Sequence, residues 1–141
     1  MKFWDTSAIV SLHVDEPLRE VAVAQLENDH HMAVWWGTPI EFTSAVVRRE
    51  REGCLTEDQV MDCLASLRAL SRLWHEIQPS PGIKTTAMRL LRTHSLRAAD
   101  SLQLAAALAA SDGDPSTLDF VSFDQRLNLA AMREGFSVPV N

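Results

Sequence analysis

The sequence predicts one α/β domain built on a parallel sheet, and three observations carry that prediction. Short apolar runs alternate with longer helical patterns along the whole chain, the order expected of strands joined by helical crossovers. One of these runs, Met32 to Trp36, is apolar without alternation, as a strand covered on both faces is. Carboxylates recur just past strand ends or at helix starts, on the edge where open α/β sheets bind ligands.

Composition narrows the possibilities. A chain of 141 residues, 46% of them apolar, is long enough for one domain with a real core and needs no linker. It holds no apolar run that could span a membrane, and Met1-Lys2-Phe3 enters the fold without the hydrophobic region of a signal peptide, so a cytoplasmic protein is expected. Cys54 and Cys63 have no metal-ligand spacing, which suits a reducing compartment. The net charge of −6 argues against a protein that grips nucleic acid through a basic surface. It leaves a nuclease open, because acidic metal ligands count as unpaired charge until a cation arrives.

The elements follow in order. Lys2-Phe3-Trp4 reads as a short strand that runs straight into Asp5, Thr6 and Ser7, so the acid falls where strand becomes helix; Asp5 would also serve as an N-cap. Ala8 to Val14 is a short helix, and Asp15-Glu16-Pro17 starts a second one that ends near Asn28, with Leu18, Val21, Ala22 and Leu26 on one face. His30-His31 are adjacent residues that point apart, so they read as surface histidines rather than a zinc site. After the strand Met32–Trp36, Gly37 makes the break. Thr38-Pro39-Ile40-Glu41 then resembles a capping box, with Thr38 as N-cap and Glu41 bonding back. This helix runs to Glu52 and stops at Gly53. Its Arg48, Arg49 and Arg51 interleave with glutamates as on a solvated face.

Thr56-Glu57-Asp58-Gln59 repeats the capping pattern and opens a helix to about Trp74. Residues 39–74 therefore form an αα-hairpin, and Leu55, Val60, Leu67, Leu73 and Trp74 are candidates for a partner surface. His75 to Pro79 is a weak strand, and Ser80-Pro81 starts a helix to about Thr93. Leu96 to Ala110 is the most apolar helix and is expected to be buried. Asp100 lies in its first turn, where the helix dipole favours a carboxylate, with Arg97 as the obvious protein partner. Asp112 to Ser116 is a turn; Leu118 to Ser122 is a buried strand ending at Phe123-Asp124; Gln125 to Glu134 is a helix closed by Gly135; Phe136-Ser137-Val138 is a last strand.

Each of Asp5, Glu41, Asp100 and Asp124 has a local structural explanation. A parallel sheet would nevertheless bring all of them to one edge. Four carboxylates together call for a hard cation such as Mg²⁺ or Mn²⁺, and such a site can activate water against a phosphodiester.

Asp5-Thr6-Ser7-Ala8, Glu41 within Pro39-Ile40-Glu41-Phe42-Thr43-Ser44-Ala45, Leu96-Arg97-Ala98-Ala99-Asp100-Ser101-Leu102-Gln103-Leu104-Ala105-Ala106-Ala107, and Phe120-Val121-Ser122-Phe123-Asp124-Gln125-Arg126-Leu127 together resemble a PIN domain, specifically the VapC-type toxin ribonucleases of bacterial toxin–antitoxin pairs. The resemblance covers the whole chain, residues 1–141. It implies a doubly wound, mainly parallel sheet flanked by helices, a Mg²⁺- or Mn²⁺-dependent endoribonuclease acting on RNA, a homodimer, and inhibition by a cognate antitoxin. It further implies that Asp5, Glu41 and Asp100 hold the metal and that Asp124 is the fourth acid, with Asp119 as the competing position. In this reading Thr6 or Ser7 is the hydroxyl beside the first acid, Ser122 the one near the fourth, and Glu41 binds the metal or orients the attacking water. Two other readings compete: a PIN-like module that binds RNA or a partner without cutting, and an aspartyl phosphatase, whose second acid would fall where this chain has Ser7. A receiver or nucleotide-binding module would need a glycine-rich loop after the first strand, which is absent.

Overall fold

The computed structural model describes residues 1–140. Four strands, β1 (Lys2–Trp4), β2 (Met32–Trp35), β3 (His75–Ile77) and β4 (Asp119–Val121), form one sheet in the order β3-β2-β1-β4. Every pairing is parallel. The chain winds outward from β1 through β2 to β3, then crosses back to place β4 on the other side of β1. This reversal beside β1 is a topological switch point, where doubly wound sheets open a binding crevice. The last expected strand is reduced to a single parallel bridge between Asp119 and Ser137; Pro139 follows two residues on and leaves no room for a longer ladder.

Strand alternation sorts the core into two layers. Phe3, Ala33, Trp35 and Phe120 face α5 (Pro81–Thr93), α6 (Ala98–Ala110) and α7 (Gln125–Arg133). Trp4, Met32, Val34 and Val121 face the other way, against α1 (Thr6–His13), α2 (Arg19–Asn28), α3 (Thr38–Arg51) and α4 (Glu57–Ser71). Both sides of β1 and β2 are thus sealed, in keeping with the unbroken apolar pattern of Met32–Trp35. As expected, α6 is buried over most of its circumference, with Leu104 to Ala107 packed under the sheet.

Local details depart from the sequence reading in informative ways. Helix α1 begins at Thr6, two residues earlier than expected, because the Asp5 carboxylate accepts from the Ser7 N–H and caps it there. Helix α4 stops at Ser71, and α6 starts at Ala98. The capping box at Thr56 is made, with Gln59 bonding back to the Thr56 N–H. The one expected at Thr38 and Glu41 is not: Gly37 takes the N-cap position and no side chain caps the helix. Val60, Leu67 and Trp74 of the αα-hairpin belong to the core rather than to a free surface. On its outer side Leu73 (83% exposed) and Met61 remain uncovered.

Candidate functional site

The four acids predicted from the sequence line one cleft of about 650 Å³ at the carboxyl edge of the sheet. Asp5 follows β1 and Asp124 follows β4, each capping the helix that comes next. Asp100 stands in the first turn of α6 and Glu41 in that of α3. Four helix N-termini therefore converge on the cleft, and their partial positive charges offset part of the carboxylates' repulsion. Asp119 lies at the opposite end of β4, 3.7 Å from the Lys2 ammonium, which leaves Asp124 as the acid of this edge.

Asp5 is 4% exposed and is held by two parallel hydrogen-bond chains. The Phe123 N–H donates to Ser7 Oγ (2.9 Å), and the Ser7 hydroxyl donates to Asp5 Oδ2 (2.6 Å). Alongside it, the Asp124 N–H donates to Ser122 Oγ (3.1 Å), whose hydroxyl donates to the same Oδ2 (2.9 Å). Each serine spends its one proton on Asp5, so the 3.2 Å approach of the two hydroxyls is proximity enforced by the shared acceptor. These chains tie the end of β1 to the end of β4. They saturate Oδ2, while Oδ1 has no partner among the described residues and is not sealed from solvent.

Glu41 is positioned by a residue that the sequence reading did not single out. Gln103, fully buried on α6, places Nε2 at 2.9 Å from Thr6 Oγ1, 2.9 Å from Thr38 Oγ1 and 3.1 Å from Glu41 Oε2. Both members of the expected capping box thus turn to the amide instead of to their own helix. Gln103 Oε1 is buried and has no donor among the described residues. Its signal in the sequence was a lone amide on an apolar helix, three residues after Asp100 and hence on the same face.

The electrostatics reflect crowding. Burial pushes the Asp5 carboxyl up, the Ser7 and Ser122 hydrogen bonds pull it back, and the Asp100 charge adds to the rise. Glu41 is pushed up to about 7, first by burial and then by the Asp5 charge, against the hydrogen bonds from Gln103 and Thr6. Asp100 is raised by partial burial and by Asp124, against the Arg97 backbone N–H and the charges of Arg97 and Arg126. Arg97 makes no ion pair with Asp100; it lines an adjoining cleft together with Asp100, Asp124 and Arg126.

Among the described residues no three acids, imidazoles or thiols are drawn close enough to form a ready coordination sphere. The donor chemistry still fits a hard divalent cation: oxygen ligands only, three carboxyls raised by burial and mutual repulsion, and a free Asp5 Oδ1. Ser7 stands where an aspartyl phosphatase would carry its second acid, and its hydroxyl is committed to Asp5.

The sequence profile of the PIN domain matches residues 2–132. No curated protein sequence matches the chain. Among solved structures the chain is similar to Mycobacterium tuberculosis VapC20, described as a Sarcin-Ricin loop cleaving toxin, at 18% identity and TM-score 0.71, covering 100% of this chain and 99% of that one. It is similar to a toxin–antitoxin complex from Klebsiella pneumoniae at 16% identity and TM-score 0.64, covering 89% and 88%. A third likeness is to FitAcB from Neisseria gonorrhoeae, at 17% identity and TM-score 0.65, covering 98% and 96%.

Proposed function

Given that the chain belongs to the PIN domain family, we propose that it is a divalent-metal-dependent endoribonuclease and the toxin of a toxin–antitoxin pair. The observation that carries the reading is the meeting of Asp5, Glu41, Asp100 and Asp124 in one cleft at the switch point of the sheet. These four carboxylates would hold Mg²⁺ or Mn²⁺, which when bound supplies neutralising charge and Lewis acidity toward a water and a phosphodiester oxygen.

The chain's own residues do the rest. Asp5, locked through Oδ2, presents Oδ1 to the cleft without having to be ordered on binding. Glu41, held by Gln103, is placed to bind the cation or to orient the attacking water and take its proton. Water oxygen bonds to phosphorus as the bond to the ribose oxygen on the opposite side breaks, and solvent protonates the leaving oxygen. The N-termini of α1, α3, α6 and α7 face the charge that develops on the phosphate.

VapC20, described as a toxin and matched over nearly its whole length, supports the toxin reading, and the likeness to a toxin–antitoxin complex supports an antitoxin partner; a homodimer and a cytoplasmic site of action belong to the same proposal. No described helix is long and apolar enough to cross a membrane. Incubation of the purified protein with total RNA tests the activity: discrete fragments with Mg²⁺ and none in excess EDTA are expected, and equal cleavage in EDTA would overturn the proposal. Growth arrest on expression alone, relieved by co-expression of the protein encoded beside it, tests the toxin assignment.

A further inference from the structure

A second cleft, of about 660 Å³, opens beside the acids and shares Asp100 and Asp124 with them; Ser95, Arg97 and Arg126 form other parts of its wall. Both arginines stand where helix chemistry disfavours them. Arg97 is the N-cap residue of α6 and supplies no side-chain cap, and Arg126 is the second residue of α7. A cation at a helix N-terminus opposes the dipole, whereas an acid or a hydroxyl would support it. Neither guanidinium gains an ion pair in compensation. Like most arginines of the chain, Arg97 and Arg126 have no carboxylate within ion-pair distance among the described residues, even though two acids line the same cleft. Two exposed forks of unspent N–H donors therefore flank the acid centre. Their charges favour the ionised form of Asp100, and side by side the two guanidiniums match the oxygens of a phosphate.

We propose that Arg97 and Arg126 form a phosphate subsite that grips the phosphodiester next to the scissile one, so that the RNA strand leaves the acid centre through the cleft between the starts of α6 and α7. The inference rests on the nuclease reading and adds the direction of the bound strand. It also gives a chain of charge −6 a local source of attraction for RNA beside the acids, in addition to Arg48 and Arg49 on the wall of the acid cleft.

The test uses a fluorescein-labelled single-stranded RNA that the wild-type protein cuts, bound to the Asp5→Asn chain with Mg²⁺ and followed by anisotropy across a salt series. Adding Arg97→Gln and Arg126→Gln should weaken binding about tenfold and lower the slope of log Kd against log salt by about 0.7, the change expected when one phosphate is no longer neutralised. Lysines at both positions should restore most of the slope and part of the affinity. In a set of RNAs each carrying one neutral methylphosphonate, one position beside the cleavage site should weaken binding to the arginine-containing chain and have no effect on the double glutamine variant. RNA bound with unchanged slope by the glutamine variant, or equal sensitivity at every phosphate, overturns the subsite alone. Absence of any cutting by the wild type and any binding by Asp5→Asn overturns the nuclease reading and the subsite with it.

Discussion

Gln103 Nε2 lies 3.1 Å from Glu41 Oε2, joining a fully buried amide on α6 to a carboxylate on α3 sixty-two positions earlier in the chain. The same nitrogen reaches Thr6 and Thr38, so one side chain sets α1, α3 and α6 relative to one another at the cleft. Gln103→Met keeps the length and removes the donors. It should cost about 1–3 kcal/mol of stability and slow single-turnover cleavage of a short RNA by roughly ten- to a hundredfold through misplacement of Glu41. A loss of stability with an unchanged rate would assign Gln103 to the fold alone.

The raised carboxyls set the pH dependence of the metal-free protein. Glu41 titrates at about 7 in the folded state against an ordinary value of 4.5, so between those values the folded chain binds more protons than the unfolded one. Stability should therefore fall as pH rises from about 4.5 toward 7 and level off above it. Asp5 and Asp100, also raised, act in the same direction. Melting curves in EDTA across this range check the sign, and Glu41→Gln should flatten the curve and melt higher than wild type above pH 7. Mg²⁺ should stabilise the wild type more strongly as pH rises, because its ligands must be deprotonated.

Asp100 separates repulsion from helix support. Desolvation and the Asp124 charge both disfavour its charged form, so Asp100→Asn without metal should raise the melting temperature by about 2–4 °C, the shift expected for roughly 1 kcal/mol in a domain of this size. The variant should also lose most of the wild-type stabilisation by Mg²⁺. A lower melting temperature in EDTA would mean that its service to the α6 dipole outweighs the repulsion.

The two serine chains make a simpler forecast. Ser122→Ala strips one hydrogen bond from the buried Asp5 carboxylate and leaves the Asp124 N–H without its acceptor. A loss of about 1–3 kcal/mol is expected on thermal unfolding, together with slower cleavage, since Asp5 and Asp124 are then no longer coupled. Ser122→Thr, which keeps the hydroxyl, should restore part of the rate.

Much of this was legible in the residues, for physical reasons that differ by feature. The strand at Met32 and the buried helix from Ala98 announced themselves because burial on every side leaves no polar period. The acids were legible as a set because parallel crossovers send strand ends to one edge, and because Asp5 and Asp124 are at once N-caps and cleft residues. Thr38 and Glu41 misled for the same reason: their spacing satisfies a capping box, and only the tertiary presence of Gln103 diverts them. The role of Gln103 was hidden because a single amide on an apolar helix has many uses, and the partner that defines this one lies sixty-two positions away. The hairpin residues Val60, Leu67 and Trp74 read as a partner surface because helical spacing alone does not tell an outer apolar face from one that α1 and the sheet close over. The choice between Asp119 and Asp124 followed strand direction, and the Lys2 ion pair at the far edge agrees with it.

The central claim, that the carboxylates at the carboxyl edge of the sheet cut RNA with a bound cation, is tested most directly by cleavage of one end-labelled RNA by wild type, Asp5→Asn and Asp100→Asn, each shown by circular dichroism to be folded. With Mg²⁺ the wild type should produce defined fragments, and each variant should be slower by roughly a thousandfold or more, as for loss of a group that acts in the transition state. Undiminished cutting by both folded variants would contradict the account.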